Sequence, residues 1–178
     1  MKDGTADNII SIAAELFSSL GAFGTSLGEV AKRAGISKGT LYYYFPTKQA
    51  LCEAVSDKCL SMISSRLFAW VDTVKTSDDP TEALGTLCDA LLGEDMPLRV
   101  FIAINDFSES GSELEASLDR AMNEWNVMIE VGSMRMKPVY AAKMKRMLAA
   151  VLPFLCGLAA LNADPDYARE AFTALIMG

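Results

Sequence analysis

Apolar residues recur along this chain at three- and four-residue steps, and no stretch alternates as a strand would. From Asp7 to Leu20 the stripe is Ile9, Ala13, Leu16, Phe17 and Leu20, and Gly21 is placed to end that helix. Ser26 predicts the N-cap of a second helix, with Glu29 in capping-box position and Leu27, Val30, Ala31 and Ala34 facing inward. Gly35 stops it early. Ser37 caps a third short helix, Lys38 to Phe45, which Pro46 closes. Thr47 opens a long fourth helix reaching about Val74, striped by Leu51, Val55, Cys59, Met62, Ile63, Leu67 and Trp70. Ser77-Asp78-Asp79-Pro80 is the clearest break. Further helices are predicted over 81–92, 97–109, 112–132, 138–161 and 165–176, divided at residues 93–97, at Ser110-Gly111, near Pro138 and at Asp164-Pro165. The fold class is all-α.

Composition narrows the picture. With 178 residues, 51% of them hydrophobic, the chain can bury a substantial core. The longest apolar run, Met147 to Leu161, is interrupted by Pro153 and Gly157 and falls short of the roughly 20 residues a membrane span needs. Met1-Lys2-Asp3-Gly4 has no signal-peptide layout, so a cytoplasmic location without a membrane partner is expected. Cys52, Cys59, Cys88 and Cys156 form no CxxC pair and there is no histidine, which argues against zinc; no cofactor or metal is expected. The cysteines read as small hydrophobes in a reducing compartment. The formal net charge is −7, but residues 1–48 carry +1, leaving −8 on the remainder. A near-neutral head on an acidic body can still bind phosphates if its few cations face one way.

The informative stretch is 26–45, which reads as helix, glycine turn, helix. Val30, Ala31 and Ala34 offer a flat apolar face, Ile36 fills the corner, and Leu41 and Phe45 anchor the second helix. A small residue at Ala31 permits a close crossing, and Gly35 accepts the left-handed backbone the turn needs. That arrangement holds a short helix proud of the surface, as insertion into a major groove requires. Lys38, Thr40, Tyr42, Tyr43 and Tyr44 crowd onto it, with Lys48 just beyond. Lysines neutralise phosphates, hydroxyls donate to phosphate oxygens, and Gly39 leaves the backbone bare where DNA would approach. Three successive tyrosines point in three directions around a helix, so they cannot all be buried.

The run G-I-S-K-G-T-L-Y-Y-Y-F-P-T-K-Q-A-L, with T-S-L-x-E-V-A-x-x-A-G before it, resembles the recognition helix and second helix of the TetR (tetracycline-repressor) family. The likeness is specific over residues 9–55 and architectural beyond. It implies a helix-turn-helix DNA-binding domain over 1–48 and a helical ligand-binding and dimerisation domain over 49–178. It implies DNA contacts from Thr25, Ser37, Lys38, Gly39, Thr40, Tyr42, Tyr43, Tyr44 and Lys48, with Leu41 and Phe45 structural. Two departures stand out. Gly28 replaces a longer polar residue common in the family, and Lys2 alone supplies positive charge ahead of Thr5, so a basic minor-groove arm is weak or absent.

Other motifs carry no chemistry. Gly35-Ile36-Ser37-Lys38-Gly39 fits a nucleophile elbow only formally, since that motif needs a preceding strand and a histidine base. No phosphate-binding loop occurs, and carboxylates such as Glu113 and Glu115 read as a solvated helix face, so no enzyme is expected. In the body, Tyr140, Met144, Met147, Leu148, Val151, Leu152, Leu155, Leu158 and Ala159, with Phe172, Leu175 and Ile176, form the expected dimer interface. The resemblance implies a four-helix bundle there, which makes a homodimer on a pseudo-palindromic operator in double-stranded DNA the expected assembly. It also implies a small-molecule effector, for which Met62, Arg66, Trp70, Phe101, Asn105, Trp125 and Met128 are the candidate lining. These residues also suit an ordinary core. A body without a cavity would instead serve as a platform for a partner protein.

Overall fold

The computed structural model describes residues 2–74, 80–93 and 97–178, and side chains from Gly4 onward. The predicted break at Ser77-Asp78-Asp79, residues 94–96 of the next divider, and the side chain of Lys2 lie outside the described residues. The described residues form nine helices and no strand: α1 Lys2–Gly24, α2 Leu27–Arg33, α3 Lys38–Tyr44, α4 Lys48–Thr73, α5 Thr81–Leu92, α6 Pro97–Phe107, α7 Glu113–Ser133, α8 Pro138–Ala160 and α9 Pro165–Met177.

Side chains set many of these boundaries. Ser26, Ser37, Thr47 and Ser112 each accept a hydrogen bond from a backbone N–H in the first turn of the helix they precede, and Asp164 does the same for α9. Each such cap is worth about 1 kcal/mol. At Gly21 the backbone leaves the helical region (φ 75°, ψ 159°), so α1 bends there and adds a further turn to Gly24. That bend turns Leu20, expected inside, out to solvent. The start of α1 lies earlier than the stripe from Asp7 indicated, because the turn before it has no apolar face to betray it.

Helix α4 is the spine. It packs on α1 and on α5, α6 and α7, so it joins the head to the body. Helix α7 packs in turn on α8, and α5 on α9. Helices α4 and α7 run parallel: the Trp125 indole N–H donates to Ser64 Oγ at 2.9 Å, and further along Trp70 lies flat against Gly132. A Cβ on Gly132 would clash with the six-membered ring of Trp70, whose indole N–H donates a 2.8 Å hydrogen bond to the Ala83 carbonyl. Gly132→Ala is therefore expected to cost about 1–3 kcal/mol by overpacking, read as a lower urea midpoint with an unchanged slope.

All four cysteines are free thiols. Burial pushes Cys52 and Cys156 up to about 11, and Cys59 and Cys88 up to about 12. They stay protonated and unreactive at neutral pH, in keeping with their reading as small hydrophobes. Because the folded state holds these protons more tightly than an unfolded chain, their contribution to stability is present below pH 9 and is lost as pH rises through 11 to 12.

Candidate nucleic-acid interface

The turn between α2 and α3 is built as a Schellman motif. Gly35 takes φ +67°, its N–H reaches the Lys32 carbonyl at 3.2 Å, and the Ile36 N–H reaches the Ala31 carbonyl at 3.1 Å. Ala31 and Val30 are buried beneath it, and Ile36 packs against the core edge. On α3, Leu41 and Phe45 are buried, fixing the roll of the helix about its axis. What remains outward is Tyr42 at 50% exposure and Tyr43 at 66%, with Lys38 and Gly39. Tyr44 is half-buried against the core and meets Tyr43 edge-on at 5.3 Å. Three tyrosines therefore divide into two presented side chains and one that braces them.

Not every residue expected to contact DNA is presented. Thr25 is 2% exposed and its hydroxyl donates to the Gly21 carbonyl at 2.9 Å, so it closes the bend in α1. The physical reason is that bend, which leaves a carbonyl in need of a donor. The Lys48 ammonium is also engaged: it donates to the Phe23 carbonyl at 3.1 Å and sits over the Phe107 ring at 5.2 Å. It thus ties the ends of α1 and α6 to the start of α4, with Phe23 and Phe107 themselves 5.1 Å apart. Ser37 Oγ accepts from the Thr40 N–H and bonds the Thr40 hydroxyl at 2.8 Å, so both side chains serve the cap of α3 while lying at its outer end.

Gly28 acquires a use that its sequence context hid. The stem of Lys38 crosses from α3 to α2 and lies over it, with Lys38 Cε 3.2 Å from where a Cβ would sit. The missing side chain is replaced by a lysine ammonium from the neighbouring helix.

The body departs further from expectation. Met144, Val151, Leu152, Leu155, Leu158, Ala159, Phe172 and Ile176 are buried within the chain, and Leu148 and Leu175 are half-buried. The expected dimer stripe is thus intrachain core, because α8 packs on α5, α6, α7 and α9 and spends its large side chains there. The outward side of α8 presents Ala142, Lys145 and Arg146 and then the small apolar run Ala149, Ala150, Pro153, Gly157 and Ala160, followed by Leu161 at 81% exposure. The contrast of small against large residues on α8 was the available signal.

Of the candidate effector lining, Trp70, Phe101 and Trp125 are buried in the core, Phe101 edge-on to Trp125 at 5.2 Å. Met62, Arg66 and Met128 are half-buried, and Asn105 is exposed. Arg66 reaches the Ala90 carbonyl at 3.5 Å, serving the end of α5. Three clefts among the described residues, at the α8–α9 turn, between α5 and α9, and between α4 and α7, are lined by other residues.

Comparison with known proteins agrees with this head. Residues 9–55 match the family described as bacterial regulatory proteins, tetR family. The HTH-type transcriptional regulator RutR of Escherichia coli (strain K12) is 46% identical over 54 residues, 30% of this chain and 26% of RutR's own length. The match thus spans about a quarter of that relative. LmrA of Bacillus subtilis (strain 168), also an HTH-type transcriptional regulator, is 29% identical over 132 residues, 70% of this chain and 68% of LmrA. The fold of AibR, solved with isovaleryl coenzyme A and operator DNA, superposes with a TM-score of 0.69 at 17% identity, covering 96% of this chain and 97% of AibR. RutR and LmrA are thus regulators rather than enzymes. Residues 9–55, the helix-turn-helix of this chain, are thus similar to the tetR family of bacterial regulatory proteins, and the chain as a whole shares the fold of solved structures such as AibR.

Proposed function

We propose that this protein is a DNA-binding transcriptional regulator, a repressor that acts as a homodimer on a pseudo-palindromic operator and is released by a small effector. The observation that carries the reading is the roll of α3, which buries Leu41 and Phe45 and presents Tyr42, Tyr43 and Lys38 together. Residues 1–48 are the DNA-binding head and 49–178 the responding body. One such helix reads only a few base pairs, so useful specificity requires two heads in successive major grooves. The small-residue face of α8 from Ala149 onward is the interface that would pair them, since there it lets two helices approach closely and is apolar without being needed by the chain's own core. AibR's complex with both operator DNA and an acyl-coenzyme A supports a body that answers to a ligand.

An effector acts only if it binds one spacing of the heads better than the other. The Lys48 contact with Phe23 and Phe107 gives such a signal a path, because it joins the body's α6 to both helices that carry the head. The close fit of Trp70 on Gly132 and of Trp125 on Phe101 favours a second reading, in which a partner protein acts on the body instead. The assembly is tested by sedimentation. The wild type is expected to run as a dimer, and Ala150→Glu, which places a charge on the outward face of α8, to run as a folded monomer with weakened DNA binding. A dimer undisturbed by that charge would remove α8's outer face from the interface.

A further inference from the structure

Positive charge is scarce on the head, and part of it is already committed. Arg33 pairs with Glu15 at 3.2 Å, and the Lys48 ammonium donates to the Phe23 carbonyl at 3.1 Å. Among the described side chains of residues 1–48, only Lys32 and Lys38 keep a cation with no hydrogen bond or ion pair. Both are exposed, Lys32 in the last turn of α2 and Lys38 at the start of α3. Where each ammonium points therefore decides much of what the head offers a phosphate backbone.

Lys38 does not extend straight out from its own helix. Its stem crosses to α2 and lies over Gly28, with Cε 3.2 Å and Nζ 3.6 Å from where a Cβ on Gly28 would sit. Ordinary carbon–carbon contact falls at about 3.5–4.0 Å, so even a methyl group there would press on the stem. A longer side chain would take the space outright. Nothing in the backbone calls for glycine at this position. It lies inside α2, its φ is not in the left-handed region, and within a helix glycine is less favourable than alanine.

We propose that Gly28 is a positioning residue for DNA binding: its bare backbone lets Lys38 cross to α2, so that the ammonium meets a backbone phosphate on the α2 side of α3. This inference rests on the reading of the head as a DNA-binding module. Two positions on different helices then perform one task between them, Lys38 supplying the charge and Gly28 the path it takes. A phosphate carries no sequence information, so the contact sets how tightly and in what orientation the head docks without changing which bases are preferred.

The test is a double-variant cycle on a duplex carrying the repeat that the wild-type protein enriches from random DNA, with affinity measured across a salt series. Lys38→Met removes the charge and keeps the bulk of the stem. It is expected to weaken binding roughly tenfold per head and to lower the slope of log affinity against log salt by about 0.9 per head. Gly28→Leu fills the path of the stem without adding a donor and is expected to reproduce most of both changes, with Gly28→Ala giving a smaller part. In the Lys38→Met background, Gly28→Leu should then add less than about twofold. Circular dichroism of each variant checks that the helices are retained. Gly28→Leu costing as much affinity in the Lys38→Met background as in the wild type, or leaving affinity and salt slope unchanged, would overturn the proposal while the DNA-binding reading stands. A wild-type protein that enriches no repeat would overturn both.

Discussion

Replacing Tyr42 and Tyr43 together by alanine is expected to lower affinity for a single operator half-site roughly 100-fold while leaving thermal unfolding unchanged. Both rings are largely exposed and neither is part of the core, so the folded state is little affected. A hydrogen bond to a charged phosphate oxygen is worth about 1.5–3 kcal/mol, so removing two of them from the head on that half-site costs about 3 kcal/mol at the lower bound. At 1.4 kcal/mol per tenfold, that is about two decades in Kd. Tyr44→Ala should behave differently. Its ring packs partly against the core of the head, so part of its effect appears as lower stability. Fluorescence anisotropy on duplex DNA, paired with thermal melts, separates the two effects.

Trp125→Ala is expected to destabilise the body by about 3–5 kcal/mol. The indole is fully buried, packs edge-on against Phe101, and donates to Ser64. Its removal leaves a large void between α4 and α7 and strips Ser64 Oγ of its donor. At about 2–4 °C per kcal/mol for a chain of this length, Tm should fall by roughly 10 °C. The alternative role, as one wall of an effector cavity, predicts a milder loss, because a lining residue already faces open space. Differential scanning calorimetry distinguishes them: a drop of only a degree or two would argue that Trp125 lines a cavity.

The helical class and the caps were legible because they are local. Ser26, Ser37 and Thr47 sit beside the N–H groups they serve, and Gly35 sits at the turn that needs it. The outward face of α3 was legible for the same reason, since burial of Leu41 and Phe45 turns Tyr42 and Tyr43 to solvent. Failure came where tertiary packing decides between two equal candidates. Helix α8 has a large-residue side and a small-residue side, and periodicity cannot say which one meets its own chain. Local pattern is equally silent on Lys38 reaching back over Gly28, and on Lys48 and Thr25 answering carbonyls of α1.

Two copies of α3 should enter successive major grooves, and selection from a pool of random duplex DNA tests this directly. The wild-type protein should enrich an inverted repeat whose half-sites lie about one helical turn or more apart, and the Tyr42→Ala, Tyr43→Ala double variant should fail to enrich it. Recovery of no common sequence by the wild type, or of the same repeat with equal efficiency by the double variant, would contradict it.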